Sequence, residues 1–327
     1  MSKIILGIHG LGNQPPKDLL EEWWIASINE GLTRIGCKGT KYNFELVYWA
    51  DTLNTQPLDI NENDKDSELY LSERYCPAKE KKEIVGKNFK TKTINYLKKQ
   101  LDSFLFNEKL HINFPSFTDL LIKHFFKDLN IYFTQYCVEE NKYDCLAKDV
   151  IREKLHEVFN KYKNDEIMLI SHSMGSIISY DVLLRNQNEY EIDTFISEGS
   201  PIAVPFIYGQ IKHSIAGDPY NDAKLPTPGN IKRAWYNLYD PEDKLAQYSV
   251  LKDFFEPNKY NVIPTSEIVK NDYESNGIEN PHKIYGYLRS ERNAELIDEF
   301  LCRGKNKFVV WASKKFNKII KKLPFKK

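Results

Sequence analysis

The sequence predicts an α/β fold: a mainly parallel sheet with helices on both faces. Three observations carry the prediction. Short apolar runs recur along the chain at 3–8, 44–49, 166–170, 192–197 and 231–239. Stretches of helical periodicity separate several of them. The run at 166–170 passes through a tight turn straight into a helical segment, which is how strands and helices alternate in a parallel sheet.

The first run, KIILGI, ends in His9-Gly10-Leu11-Gly12 and reads as a buried strand. Pro15-Pro16 then opens a helix through Leu19, Leu20, Trp23, Trp24 and Ile28, proline being well placed at a helix start. FELVYW at 44–49 is a second strand. Residues 147–163 form a helix with Val150, Ile151, Leu155, Val158 and Phe159 on one face. EIMLI at 166–170 is a third strand, followed by a helix at 177–184. Residues 192–197 and 231–239 are the fourth and fifth strands, ending at Gly199-Ser200-Pro201 and Asp240-Pro241, and 291–302 is a last helix. Residues 52–142 break this rhythm with an acidic loop at 61–67 and two amphipathic helices near 93–106 and 117–133. They read as a helical insertion on the sheet's rim, either a lid or a fixed extra layer. The domain prediction is therefore a body over 1–302 carrying this insertion, and a basic tail over 303–327.

At 327 residues, 41% hydrophobic and 28% charged, the chain can bury a large core and sits among soluble globular proteins. Its formal charge of zero hides an asymmetry. The tail holds ten Lys or Arg and no acid, leaving 36 basic and 46 acidic residues in the body. Five cysteines, at 37, 76, 137, 145 and 302, form no CxxC pair, and their odd number fits a reducing cytoplasm. The opening MSKIILGIHG is broken too early for a secretory signal, and no apolar run is long enough to span a bilayer. With no HExxH and no zinc-type cysteine spacing, neither metal nor other cofactor is expected.

The chemistry concentrates at Ser171-His172-Ser173-Met174-Gly175. A nucleophile elbow needs a strand, a strained turn and a helix, so that the serine hydroxyl stands exposed beside the helix's positive end. The positions two before and two after the serine must be small. Gly175 fills the later one and Ser171 replaces the glycine usual at the earlier one. Ser173 is therefore the candidate nucleophile. Backbone N–H groups of Met174 and Leu11 are the candidate oxyanion donors, with His9, Gly10 and Gly12 supporting the second. The base should follow both nucleophile and acid in chain order. Of seven histidines, only His282 lies beyond the acids at the end of the fifth strand. Those acids are Asp240, Glu242 and Asp243. Asp243, three or four residues past the strand, is the favoured partner, and Asp240 is the alternative.

HGLG, YWAD, SHSMG, EGSP, YDPEDKLA and NPHKIYGYL together resemble bacterial α/β-hydrolase proteins of the serine esterase and lipase-like type, including kin of GPI-inositol deacylases. The resemblance spans residues 1–50 and 143–302. It implies an α/β-hydrolase fold, a Ser-Asp-His triad and ester or lipid substrates. The expected function is carboxylic ester hydrolysis; the alternative is a hydrolase-fold binding or effector module with little or no turnover.

On a helix, Val309, Ala312, Phe316, Ile319, Ile320 and Leu323 share an arc of about 100°, and lysines fill the opposite side. Such a helix suits an anionic membrane surface, the acidic body or a partner protein. Nucleic acid is not expected, because one face is strongly apolar. The expected location is cytoplasmic, with peripheral attachment to the inner face of the membrane if the tail binds lipid.

Overall fold

The computed structural model describes residues 2–78, 129, 132, 147–216, 222–246 and 250–305. Six strands form its main sheet: β1 (Lys3–Ile8), β2 (Asn43–Val47), β3 (Glu166–His172), β4 (Ile192–Glu198), β5 (Ile231–Tyr239) and β6 (Pro264–Ile268). Their spatial order is β2-β1-β3-β4-β5-β6, and every adjacent pair is parallel. Among the described residues the helices with full bounds are α1 (Lys17–Arg34), α2 (Ala147–Lys161), α3 (Met174–Arg185), α4 (Pro205–Ala216), α5 (Ile284–Leu288) and α6 (Glu291–Cys302).

β1 and β3 read as nearly unbroken apolar runs because both of their faces are buried. In β1, Ile4, Leu6 and Ile8 face one core, which they share with Ile151, Leu155 and Phe159 of α2 and Ile177, Ile178 and Leu183 of α3. Ile5 faces the other, with Leu20, Trp24 and Ile28 of α1 and Ile297 and Phe300 of α6. β3 alternates in the same way: Ile167 and Leu169 toward α2 and α3, Met168 and Ile170 toward α1.

α1 begins directly after Pro16, whose carbonyl accepts the Leu20 N–H at 3.0 Å. Ser290 caps α6 by accepting the Asn293 N–H. β2 stops at Val47, two residues short of the expected run, because the Trp49 and Ala50 N–H groups turn to the His9 ring instead. α4 and β6 were not legible in the sequence pattern. PTSEI has only Pro264 buried, and its proline stands first in an edge strand, where a missing N–H is tolerated.

Chain order places the site. β1 leads by way of α1 to β2 on one side, whereas β3 and the later strands build outward on the other. The direction reverses between β1 and β3, and such a reversal leaves a crevice beyond the strands' carboxyl ends. HGLG and SHSMG both lie there. Of the expected insertion helices, only Leu129 and Tyr132 fall among the described residues. Both are helical and buried in the core shared with α2 and α3. The rest of 79–146, and the tail beyond 305, lie outside the described residues.

Candidate active site

Ser173 occupies the turn between β3 and α3 with φ 51° and ψ −124°. Among the described residues, the other non-glycine positions at positive φ are Asn261 and Asn276, and asparagine tolerates that region. A serine held there is strained, and strain of this kind persists only when its surroundings enforce it. The Ser173 N–H donates to the Glu198 carbonyl at 3.0 Å. Its own carbonyl accepts the Ser176 hydroxyl at 2.6 Å. A side chain on Gly175 would place Cβ 2.6 Å from the His9 carbonyl oxygen and 2.8 Å from that of Ile8, so only glycine lets α3 pack this close to β1. Ser171, where glycine is usual, is buried and its hydroxyl reaches the Ile196 carbonyl at 3.4 Å.

The structure brings Ser173, His282 and Asp243 together. Ser173 Oγ lies 3.0 Å from His282 Nε2, and His282 Nδ1 lies 2.8 and 3.0 Å from the two Asp243 carboxylate oxygens. The Asp243 side chain is completely buried. Its carboxylate also accepts the Tyr287 hydroxyl at 2.7 Å and the Leu245 N–H at 3.0 Å. Burial pushes the Tyr287 hydroxyl well up, so it stays a neutral donor. With Nδ1–H held by the acid, Nε2 is left as acceptor for the serine proton.

Asp240 sits at the end of β5 but faces elsewhere. Its oxygens accept the N–H groups of Glu242 at 2.8 Å and Asn271 at 2.6 Å, while its own N–H donates to Tyr287 Oη. It caps the turn that carries Asp243. Burial, the larger effect, raises its carboxyl.

The two oxyanion candidates flank Ser173. Met174 opens α3, so its N–H belongs to the helix-start group with no intrahelical acceptor. Leu11 lines the cleft, and His9 sets its orientation. His9 Nε2 accepts the Trp49 and Ala50 N–H groups at 3.0 and 3.3 Å, which forces the proton onto Nδ1. Nδ1–H then donates to the Gly10 carbonyl at 2.8 Å. The C=O and N–H of a trans peptide point in opposite directions, so fixing the Gly10 carbonyl aims the Leu11 N–H the other way. Gln14 holds the next carbonyl, that of Leu11, at 3.0 Å. His9 stacks on Trp49 with ring planes 10° apart, and burial holds it down at about 4. Gly10 leaves room for the site: a Cβ there would lie 2.8 Å from His172 Nδ1 and 2.9 Å from Ser173 Cβ. Gly12 turns the loop at φ 82°.

Three partners were not foreseen. Tyr287 supports the acid. His172, the last residue of β3, meets the His282 carbonyl through Nε2 at 2.7 Å, with the rings 4.8 Å apart. Burial, followed by the nearby His282, pushes His172 well below the usual histidine range. Glu73, from the stretch after β2, contacts Asn280 and Lys283 on either side of the base. Glu198, beside the elbow, keeps both carboxyl oxygens buried with no hydrogen-bond partner among the described residues, and burial pushes its carboxyl far up.

A small open cleft lies over Ser173 and His282. Its lining combines apolar Leu11, Trp24, Ile284 and Tyr285 with polar Gln14, Glu73, Asn280 and Lys283. Among the described residues no group of three or more His, Cys, Asp or Glu side chains could hold a metal ion.

A family model described as LCAT, lecithin:cholesterol acyltransferase, matches residues 141–214. The match covers α2, β3, the elbow, α3, β4 and most of α4. No curated protein matches the chain. With the parallel six-stranded sheet, the family match identifies the architecture as an α/β-hydrolase fold and gives coarse support to lipid-directed hydrolase or acyltransferase chemistry.

Proposed function

We propose that this chain is a serine hydrolase that cleaves carboxylic esters, with acyl lipids as the substrate class. The observation that carries the reading is the Ser173–His282–Asp243 relay, at 3.0 and 2.8 Å, on a strained strand-to-helix turn. Ser173 Oγ attacks the ester carbonyl and passes its proton to His282 Nε2. The oxyanion settles between the Leu11 and Met174 N–H groups, while Asp243 stabilises the imidazolium. Collapse expels the alcohol, which takes the proton from His282 and leaves an acyl-Ser173 ester. Water, deprotonated by the same imidazole, then releases the acid. A second alcohol in place of water would give acyl transfer, the activity in the matched family's description.

A fluorophosphonate probe tests the reading, because it reacts only with an activated serine. Wild type should label stoichiometrically and Ser173→Ala not at all. Equal, weak labelling of both would sink the enzyme reading and leave a binding module.

The tail supports a second element of the proposal: peripheral attachment to anionic membrane from the cytoplasmic side. Ten basic residues without an acid, five of them (Lys314, Lys315, Lys318, Lys321 and Lys322) opposite the apolar arc on a helical wheel, favour such a surface. In liposome flotation, removing residues 303–327 should abolish recovery with anionic vesicles; unchanged recovery would refute it.

A further inference from the structure

We propose that Glu73 is a positioning residue for the base, clamping the loop that carries His282. The inference rests on the assignment of His282 as base. The loop runs from Asn280 to Lys283 and has little regular structure to hold it, lying between a two-residue strand (Ile278–Glu279) and the short helix α5. Its backbone is fixed at His282 on both sides. The His282 N–H donates to Asn280 Oδ1 at 3.0 Å, and the His282 carbonyl meets His172 Nε2 at 2.7 Å. The first bond depends on which way the Asn280 amide faces. Glu73 settles that: its Oε1 accepts Asn280 Nδ2 at 2.7 Å, so Oδ1 is the end left for His282. Its other oxygen, Oε2, lies 3.2 Å from Lys283 Nζ. One carboxylate thus grips both residues that flank Pro281-His282.

The grip comes from a stretch that is itself nailed down. Leu71 is buried in the core shared with α1 and α6. The Tyr273 hydroxyl donates to the Arg74 carbonyl at 2.6 Å, Arg289 Nη1 donates to the Cys76 carbonyl at 2.7 Å, and the Tyr75 hydroxyl donates to Glu30 at 2.6 Å. Glu73 is therefore a fixed anchor. It lies 209 positions before His282 in the chain and within the predicted insertion, so it ties the base to a part of the molecule outside the strand ends. Charge-assisted hydrogen bonds of this kind are short and orienting. Placing a catalytic group within about half an ångström is what such support provides.

The full-length protein tests this with Glu73→Ala, Glu73→Gln and wild type. Each is measured for fluorophosphonate labelling rate per folded molecule, for kcat and KM on a short-chain p-nitrophenyl ester, and for Tm. Glu73→Ala should lose about 10- to 100-fold in kcat and labelling rate, with KM changing less than about threefold, as expected when transition-state geometry rather than binding is lost. Glu73→Gln keeps an acceptor for Asn280 Nδ2 and should recover to within about fivefold of wild type. If Glu73→Ala labels and turns over at the wild-type rate, or loses only Tm, the proposal is overturned. If Gln fails as badly as Ala, the amide-orienting role is overturned. Absence of labelling in wild type would instead refute the hydrolase reading itself, so the two failures are distinguishable.

Discussion

Asp240 and Asp243 show how much a single position decides. They are three residues apart at the end of the same strand, and both are buried. Only Asp243 reaches His282, while Asp240 accepts the Glu242 and Asn271 N–H groups. Their replacements should diverge. Asp243→Asn can no longer hold the imidazole in the tautomer that accepts the serine proton, and kcat should fall roughly 10³- to 10⁴-fold with little change in Tm. Asp240→Asn should keep activity within about tenfold and cost about 1–2 kcal/mol, read by urea denaturation, through the weakened cap. A reversed ranking would transfer the acid's role to Asp240. At this scale the sequence revealed what chain order and elimination can reach: one serine in an elbow and one histidine past the acids. It favoured Asp243 over Asp240 by its place past the strand but left both open, because what separates them is side-chain direction. His172 and Glu73 were hidden for another reason. Each acts on His282 from more than 100 positions away, and no local pattern marks a contact of that separation.

Among the elements, the elbow couples β3 to α3 with the least slack. The carbonyls of Ile8 and His9 lie against the Gly175 Cα, and strands of a central parallel sheet cannot retreat without breaking their ladders. Gly175→Ala should therefore cost about 1–3 kcal/mol by overpacking, and it should lower labelling of Ser173 by displacing the turn. Urea denaturation and the labelling rate read the two effects separately; wild-type values in both would mean that the elbow tolerates a wider gap. The buried strands were legible because both of their faces are apolar. β6 and α4 were not. An edge strand shows the core one face at most, and PTSEI carries the polar pattern of an exposed border. The expected helix at 93–106 lies outside the described residues, and of the one at 117–133 only Leu129 and Tyr132 are described, both buried against the core.

For the molecule as a whole, buried imidazoles tie stability to pH. Burial holds His9 at about 4 against 6.5 in the unfolded chain, and His172 is lowered as well. Between pH 6.5 and 4 the unfolded chain binds protons that the folded one refuses. This contribution is complete above pH 6.5 and shrinks as pH falls, by up to about 1.4 kcal/mol per pH unit for each histidine. Urea melts from pH 7 to 4.5 should show the decline, and His9→Gln should remove about one proton's worth of slope. An unchanged slope would mean that His9 is protonated in the folded state. The order of the sheet has a consequence of a different kind. β1 precedes both of its neighbours in the chain, yet it lies between β2 and β3, and β3 begins only at Glu166. His282 emerges later still. During synthesis the elbow must wait a further 109 residues before His282 can reach Ser173, so a nascent chain interrupted between them carries the elbow without its partner.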